Sequence, residues 1–379
     1  MIDRVQRYGT PLYYFDGEVL RDRIRFLREH LNDSTALCYA VKANPFLIKE
    51  AAPYVDRLEV CSPGEARICF DQQVPEEKMV ISGVYKDPDF MQELMEQHPS
   101  IGWYTVESMA QYHLLTRLAG THGKKLKLLP RLSCGTQFGM DEKEITQILE
   151  APDPAIEICG LQFFSGTQKT SLKKMRRELE KCSRWVRAFG LRELEFGTGF
   201  PVFYFADETF DEEEYLQGFR SLLEECTEGL TVTLEIGRSI AASCGTYYTT
   251  VVDTKQIGSE KFAIVDGGIH QIAYYGQFMA MKLPCMRLLP ERKAGAEPWN
   301  ICGSLCTVND ILVKAWPTAP LSQGDVLAFE KAGAYCVTEG IALFLSRDLP
   351  AVVLKSALDG KEHLLRAHIE TNNLNEGEY

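Results

Sequence analysis

Tyr39-Ala40-Val41-Lys42-Ala43-Asn44-Pro45 places a lysine directly after an apolar run, Ala36-Leu37-Cys38-Tyr39-Ala40-Val41, and ahead of a helix-like stretch. The run reads as a buried strand, so Lys42 stands at a strand's carboxyl end. Desolvation there favours the neutral, nucleophilic amine that Schiff-base chemistry needs. By itself such a lysine reads more readily as a surface cation that happens to follow a strand. The sequence on either side decides between the two.

Downstream, short β-like runs alternate with helical patterns. The strands expected are Ala36–Val41, Arg57–Val60, Met79–Ser82, Ile101–Thr105, Lys127–Leu132, Ile158–Phe164, Glu193–Phe196 and Thr231–Glu235. Helical periodicity falls between most of them, as at Gly64–Phe70, Val106–Leu118, Ser171–Phe189 and Asp211–Glu225. Eight such units match an α/β fold of the (β/α)8, or TIM-barrel, type over residues 25–240. A doubly wound open sheet shows the same alternation. Beyond residue 240 the texture changes to short β-like pieces between Gly, Pro and Asp turns: Ser243–Thr254, Phe262–Val265, Ile311–Lys314, Val326–Phe329 and Ala351–Leu354. These predict a mostly β domain over 241–379, joined by residues 1–24 through the strand-like Pro11–Phe15. Its polar end, Thr371–Tyr379, reads as a mobile tail.

Composition narrows the chemistry. A chain of 379 residues with 45% hydrophobic and 25% charged residues can bury a large core. A net charge of −12 without a Lys/Arg-rich stripe argues against nucleic acid or an anionic membrane as partner. No run approaches the roughly 18 uninterrupted apolar residues of a membrane span. The start, Met1-Ile2-Asp3-Arg4, lacks a secretory pattern. Twelve cysteines without CxxC spacing read as reduced thiols of a cytoplasmic enzyme. Seven histidines without HExxH or a Cys/His cluster give no reason to expect a metal.

A parallel barrel puts its active site at the carboxyl ends of its strands. Those ends carry Lys42, Glu59, Arg131, Phe164, the turn Gly197-Thr198-Gly199, and Glu235-Ile236-Gly237-Arg238. Glycine turns after the last two strands let an anion approach backbone N–H groups, and Arg238 adds a guanidinium. An amine, an anion cradle and a carboxylate on one face suit pyridoxal 5'-phosphate. The amine would hold the aldehyde, and Glu235 would keep the pyridine nitrogen protonated. Glu235 also reads as an ion-pair partner of Arg238. In the β domain, Cys306 and Asp310 share a Gly-containing turn, and Tyr335 follows Gly333-Ala334.

Taken in order, Tyr-Ala-Val-Lys-Ala-Asn, Gly166-Thr167-Gln168, Gly197-Thr198-Gly199, Glu-Ile-Gly-Arg, Cys306 with Asp310, and Gly333-Ala334-Tyr335 resemble the fold-type III pyridoxal-phosphate decarboxylases, which include the diaminopimelate, ornithine and arginine enzymes. The resemblance spans Tyr13 to about Leu354. It implies an alanine-racemase-like barrel with a C-terminal β domain and a PLP-dependent carboxy-lyase of amino-acid metabolism. Lys42 would hold the cofactor as a Schiff base, and Glu235 would meet the pyridine nitrogen. Gly199, Gly237, Arg238 and Tyr335 would contact the phosphate. It also implies a homodimer with shared sites, in which Cys306 reaches the partner's cofactor and returns a proton after carbon dioxide leaves. Thr307 and Asp310 fall where the family meets its substrate.

The chain departs from that pattern. Phe164 stands where a ring-stacking histidine is usual, and Gln162 replaces another common histidine. Thr198 interrupts a triple glycine, and Ile236 replaces a proline. Thr307 replaces the acid that meets the distal amine of diamino substrates. The short segment Arg131–Asp141, with Phe164–Lys169, resembles the subgroup containing a carrier-protein-bound glutamate decarboxylase. The expected activity is therefore decarboxylation of an amino acid with a diverged side chain. The alternatives are a racemase or epimerase on the same fold, a decarboxylase of carrier-tethered glutamate with an acyl-carrier protein as partner, and a non-catalytic cofactor-binding protein.

Overall fold

Strand β1 (Leu12–Asp16) is followed by the barrel strands β2 (Ala36–Ala40), β3 (Arg57–Val60), β4 (Met79–Ile81), β5 (Trp103–Val106), β6 (Leu126–Pro130), β7 (Ile156–Ile158), β8 (Gly160–Phe164), β9 (Glu193–Gly197) and β10 (Thr231–Ile236). The computed structural model describes residues 2–292 and 295–377. Among them, β2 to β10 form one parallel sheet in the order β7-β6-β5-β4-β3-β2-β10-β9-β8. Such strands are covered on both faces, which explains why most of their residues are buried, even where Glu59, Gln162, Glu195 and Glu235 interrupt the apolar ones. In β10, for example, all residues but the first are buried.

The sheet is nearly closed, and the closure comes from a split strand. The predicted sixth strand is interrupted at Cys159: β7 pairs with β6, whereas β8 pairs with β9 at the opposite end of the sheet. A parallel bridge between Arg131 and Gln162 draws the two ends together. Gly160 is needed at the break, because a Cβ there would lie 2.1 Å from the Glu193 carbonyl oxygen.

Most crossovers are helical. Ser62, Asp87, Ser108, Asp141, Ser171 and Asp211 each cap a helix by accepting from the backbone N–H three residues on. The helices Gly17–His30, Pro88–Gln97 and Glu142–Glu150 add to the four helical stretches named from sequence. Register then builds the site. Ala40 lies beside Glu59, and Cys38 beside Glu235, so both carboxylates flank the strand that leads into Lys42.

The second sheet contains β1 with β11 (Gly245–Ile257), β12 (Glu260–Val265), β13 (Met286–Leu289), β14 (Glu297–Cys302), β15 (Ile311–Thr318), β16 (Val326–Phe329), β17 (Ala351–Lys355) and β18 (Glu362–Arg366). Strand β1 pairs antiparallel with β11 and parallel with β17, which ties the chain's start to its last third. Leu12, Tyr14, Tyr248, Ala328 and Val353 share its core. Strands β13, β14 and β18 lie outside the predicted set. Among the described residues no helix is long and apolar enough to cross a membrane.

Two compact units result: Met1–Arg21, Val202–Phe210 and Ala241–Tyr379 in one, Asp22–Pro201 and Asp211–Ile240 in the other. The 25–240 boundary therefore differs at Val202–Phe210. Residues in that segment bond within the sheet unit, Ala206 to Leu283 and Lys331 to Phe203. Among the described residues the polar end is also anchored, while Glu378 and Tyr379 lie outside them. Thr371 is fully buried, and Asn375 donates at 2.9 Å both to the Leu343 carbonyl and to the Ser346 hydroxyl.

Candidate active site

Lys42 lies in a single 3₁₀ turn, Val41–Ala43, that ends β2, and the Asn44 side chain accepts from the Phe46 N–H to start the next turn. Its Nζ touches Glu59 Oε2 and lies 3.5 Å from Glu235 Oε1 and 3.7 Å from Cys61 Sγ. Both carboxylates are 6% exposed, whereas the lysine side chain is 37% exposed. This corrects the expectation of an amine neutralised by desolvation alone. The structure gives Lys42 solvent access and two carboxylates to pair with.

Glu235 is buried inside the barrel, and burial raises its carboxyl above the usual range, with the Glu59 charge adding to the effect. Gln162 opposes this by donating to Glu235 Oε2 at 2.9 Å. The Glu235 side chain is thus claimed by Lys42 and Gln162; the reading of it as a partner of Arg238 is not what the structure shows. Deeper in the barrel, Glu195 is 1% exposed and pushed up to about 7, first by burial and then by Glu235. Arg57 bridges Glu195 and Glu193 at 3.3 Å each.

The glycine turn is a close-packed cradle. Gly199 has φ +59°, and a Cβ there would lie 2.1 Å from the Gly166 carbonyl oxygen. A Cβ on Gly197 would lie 2.4 Å from the Phe164 ring. Arg238 follows Gly237 and is buried, with its Nε donating to the Thr167 hydroxyl at 3.2 Å. Gly199, Thr167 and Arg238 therefore belong to interlocked loops after β8, β9 and β10. Thr198 is fully buried and turns its hydroxyl to the Glu235 carbonyl oxygen, so it braces the turn from behind. Lys169 lies beneath, bonded to Glu178 at 2.9 Å and to the Gly197 carbonyl at 3.2 Å.

Arg131 is engaged elsewhere: it pairs with Glu107 at 3.2 Å and lies over the Phe138 ring. Nearby, Lys86 is buried, donates to the Gly83 carbonyl, and is pushed down to about 8 by desolvation.

Cys306, Thr307, Asp310 and Tyr335 belong to the sheet unit. Cys306 is exposed on the loop Gly303–Asp310. Asp310 is buried and accepts from Ile269 N–H at 2.9 Å and Leu305 N–H at 2.8 Å, which shapes the loop from inside. Gly303 and Gly268 leave room for that carboxylate, since a Cβ on either would come within 2.7 Å of it. The Thr307 hydroxyl accepts from Asn309 N–H at 3.3 Å. Tyr335 is half-buried at φ +66°, an uncommon conformation for a side-chain-bearing residue.

Sequence reasoning assigned no site role to Cys61, Gln162, Thr167, Lys86 or the Arg57–Glu195 pair. Gln162 and Glu195 had a usable signal, because each lies two residues before a candidate position, Phe164 or Gly197, on the same strand and so shares its face.

A nearly closed parallel barrel carrying an amine between two carboxylates and a glycine-lined cradle defines the class: a barrel enzyme that binds a phosphorylated carbonyl cofactor. The family comparison makes this specific. Residues 13–333 match the model described as pyridoxal-dependent decarboxylase, C-terminal sheet domain, and the chain belongs to that family of carboxy-lyases. It is 28% identical to diaminopimelate decarboxylase of Aquifex aeolicus, over 87% of this chain and 83% of that one. It is 27% identical to the L-glutamyl-[BtrI acyl-carrier protein] decarboxylase of Niallia circulans, over 95% and 92%. The fold is similar to diaminopimelate decarboxylase of Helicobacter pylori complexed with L-lysine, with TM-score 0.85, 23% identity and 98% of each chain covered.

Proposed function

We propose that this pyridoxal-dependent decarboxylase acts on an amino acid whose side chain ends without a free amine, and that glutamate tethered through its side-chain carboxyl to a carrier protein is such a substrate. The loop Gly303–Asp310 carries this reading. Its one carboxylate, Asp310, is buried and taken by two backbone N–H groups, and Thr307 spends its hydroxyl on Asn309. The loop therefore offers no free acid to a distal ammonium. The Niallia circulans relative, whose name specifies a carrier-bound glutamyl group, supports the same reading.

The residues present fit the cofactor. Lys42 would hold it, Glu235 would accept from its ring N–H, and Thr167, Gly199, Gly237 and Arg238 would take its phosphate. Phe164 packs beside Gly197, at the edge of that site. Pyridoxal phosphate, when bound, supplies an electron sink for the bond to the departing carboxylate. Glu59 pairs with the Lys42 amine, and Glu235 would give up its contact with that amine to accept from the ring N–H. The Cys306 thiol, exposed on its loop, returns a proton to Cα. We read the chain as a homodimer in which that thiol serves the partner copy.

The test is carbon dioxide release from free diamino acids, free glutamate, a glutamyl thioester of pantetheine and glutamyl-carrier protein. Fastest release from diaminopimelate or ornithine would overturn the reading.

A further inference from the structure

The helix Leu172–Ala188 opposes the charge of the molecule around it and corrects the expectation that the chain carries no Lys/Arg-rich stripe. Its seventeen residues include seven basic and two acidic side chains, in a chain of net charge −12. Met175, Leu179, Cys182 and Val186 form its buried face at helical spacing. Lys173, Arg177 and Arg184 lie on the opposite face, all exposed. They fall within about 40° of one another and span about 16 Å of helix.

The flanking cations are occupied. Arg176 pairs with Glu225 at 2.6 Å and with Glu180 at 3.9 Å, Lys174 with Glu178 at 4.0 Å, and Lys181 with Glu142 at 3.8 Å, while Arg187 donates to the Glu228 carbonyl. Among the described residues, Lys173, Arg177 and Arg184 form no ion pair. Folding does not account for them either. Lys173 and Lys174 stand in the first turn, where no acidic residue is present and where the helix dipole disfavours cations.

The helix is also fixed to the cofactor cradle. Glu178 accepts from Ser165 at 2.7 Å and from Lys169 at 2.9 Å, at either end of the loop containing Gly166 and Thr167. The Lys169 N–H donates to the Gly199 carbonyl at 2.9 Å.

We propose that the Lys173–Arg177–Arg184 row docks the acidic surface of the carrier protein that presents the tethered substrate. This rests on the carrier reading above and adds to it the place of contact. A row of unpaired cations on an acidic molecule selects a partner bearing carboxylates and steers its approach. Docking on this helix delivers a flexible thioester arm beside the loop that walls the cradle.

The experiment compares holoenzyme with the triple variant Lys173→Glu, Arg177→Glu, Arg184→Glu, and with Arg184→Glu alone. Substrates are glutamyl-acyl carrier protein and the glutamyl thioester of pantetheine. The triple variant is expected to lose about 30-fold or more in kcat/KM on the carrier substrate, through KM, with the single variant intermediate. Turnover of the pantetheine thioester stays unchanged, which shows that the variants fold. The wild-type advantage of the carrier substrate should shrink as ionic strength rises from about 0.05 to about 0.5 M. If the variants keep that advantage, the docking site is overturned while the carrier reading stands. If the wild type shows no advantage for the carrier substrate, both fall. Binding of duplex DNA that competes with the carrier protein and is lost in the triple variant would assign the row to nucleic acid and overturn the proposal.

Discussion

Gln162 donates to Oε2 of Glu235 at 2.9 Å, leaving Oε1 toward Lys42. The carboxylate is buried, and Glu59 adds a like charge, so this amide is one of the few groups that favour its ionised form. Gln162→Ala should push Glu235 further up, because its donor is lost while its burial remains. A charge-assisted hydrogen bond contributes about 1.5–3 kcal/mol, so the acid limb of the kcat/KM profile should move up by about one to two pH units. An unmoved limb would remove Gln162 from the electrostatics of the site.

Lys42 is the covalent anchor in this account. Borohydride should fix the cofactor to the wild-type chain but not to Lys42→Ala, whose turnover should fall by about three orders of magnitude or more. Mass spectrometry of the tryptic peptide reads the outcome directly. A reduced adduct on any other lysine would overturn the assignment.

Gly199 has no space for a side chain, since its Cβ would meet Gly166 O at 2.1 Å at φ +59°. Gly199→Ala should force the loops apart at a cost of about 1–3 kcal/mol, weakening cofactor binding by about 5- to 150-fold. Equilibrium dialysis of pyridoxal phosphate measures it. Wild-type affinity would show that the cradle is not the phosphate site.

Cys306→Ala should lower kcat by about 10²- to 10⁴-fold, the usual range for a general acid, while cofactor affinity stays unchanged. If sites are shared between copies, mixing this variant with Lys42→Ala should restore about a quarter of wild-type activity, because half the dimers then hold one intact site in two. No recovery on mixing would mean that each copy supplies its own thiol.

Glu195 supplies a test in stability. Its folded-state pKa of about 7 lies above the ordinary 4.5, so the folded form binds this proton more tightly. That contribution is fully present below about 4.5 and is lost as pH rises through 7. Glu195→Gln, permanently neutral, should flatten the loss between pH 5 and 8, up to on the order of 3 kcal/mol. Urea unfolding at the two pH values checks this, and parallel wild-type and variant curves would refute it.

The barrel strands were readable because parallel strands are rich in apolar residues between helical stretches, and Lys42, Glu235 and the Gly197–Gly199 turn were readable because each sits at the carboxyl end of such a strand. The edge strands β13 and β18 and the internal strand β14 were missed, since each is a short piece of four to six residues whose pairing is set by distant neighbours and not by its own pattern.

By itself, the sequence determined that an amine, a glycine turn and an acid stand at the ends of the first, seventh and eighth expected strands, because strand period and glycine chemistry act over a few neighbours. Tertiary structure alone decided that Lys42 lies between Glu59 and Glu235, that Gln162 holds Glu235, and that Asp310 belongs to its loop's interior. Some of these partners stand 73 and 193 residues apart, and only the register of the closed sheet brings them within bonding distance.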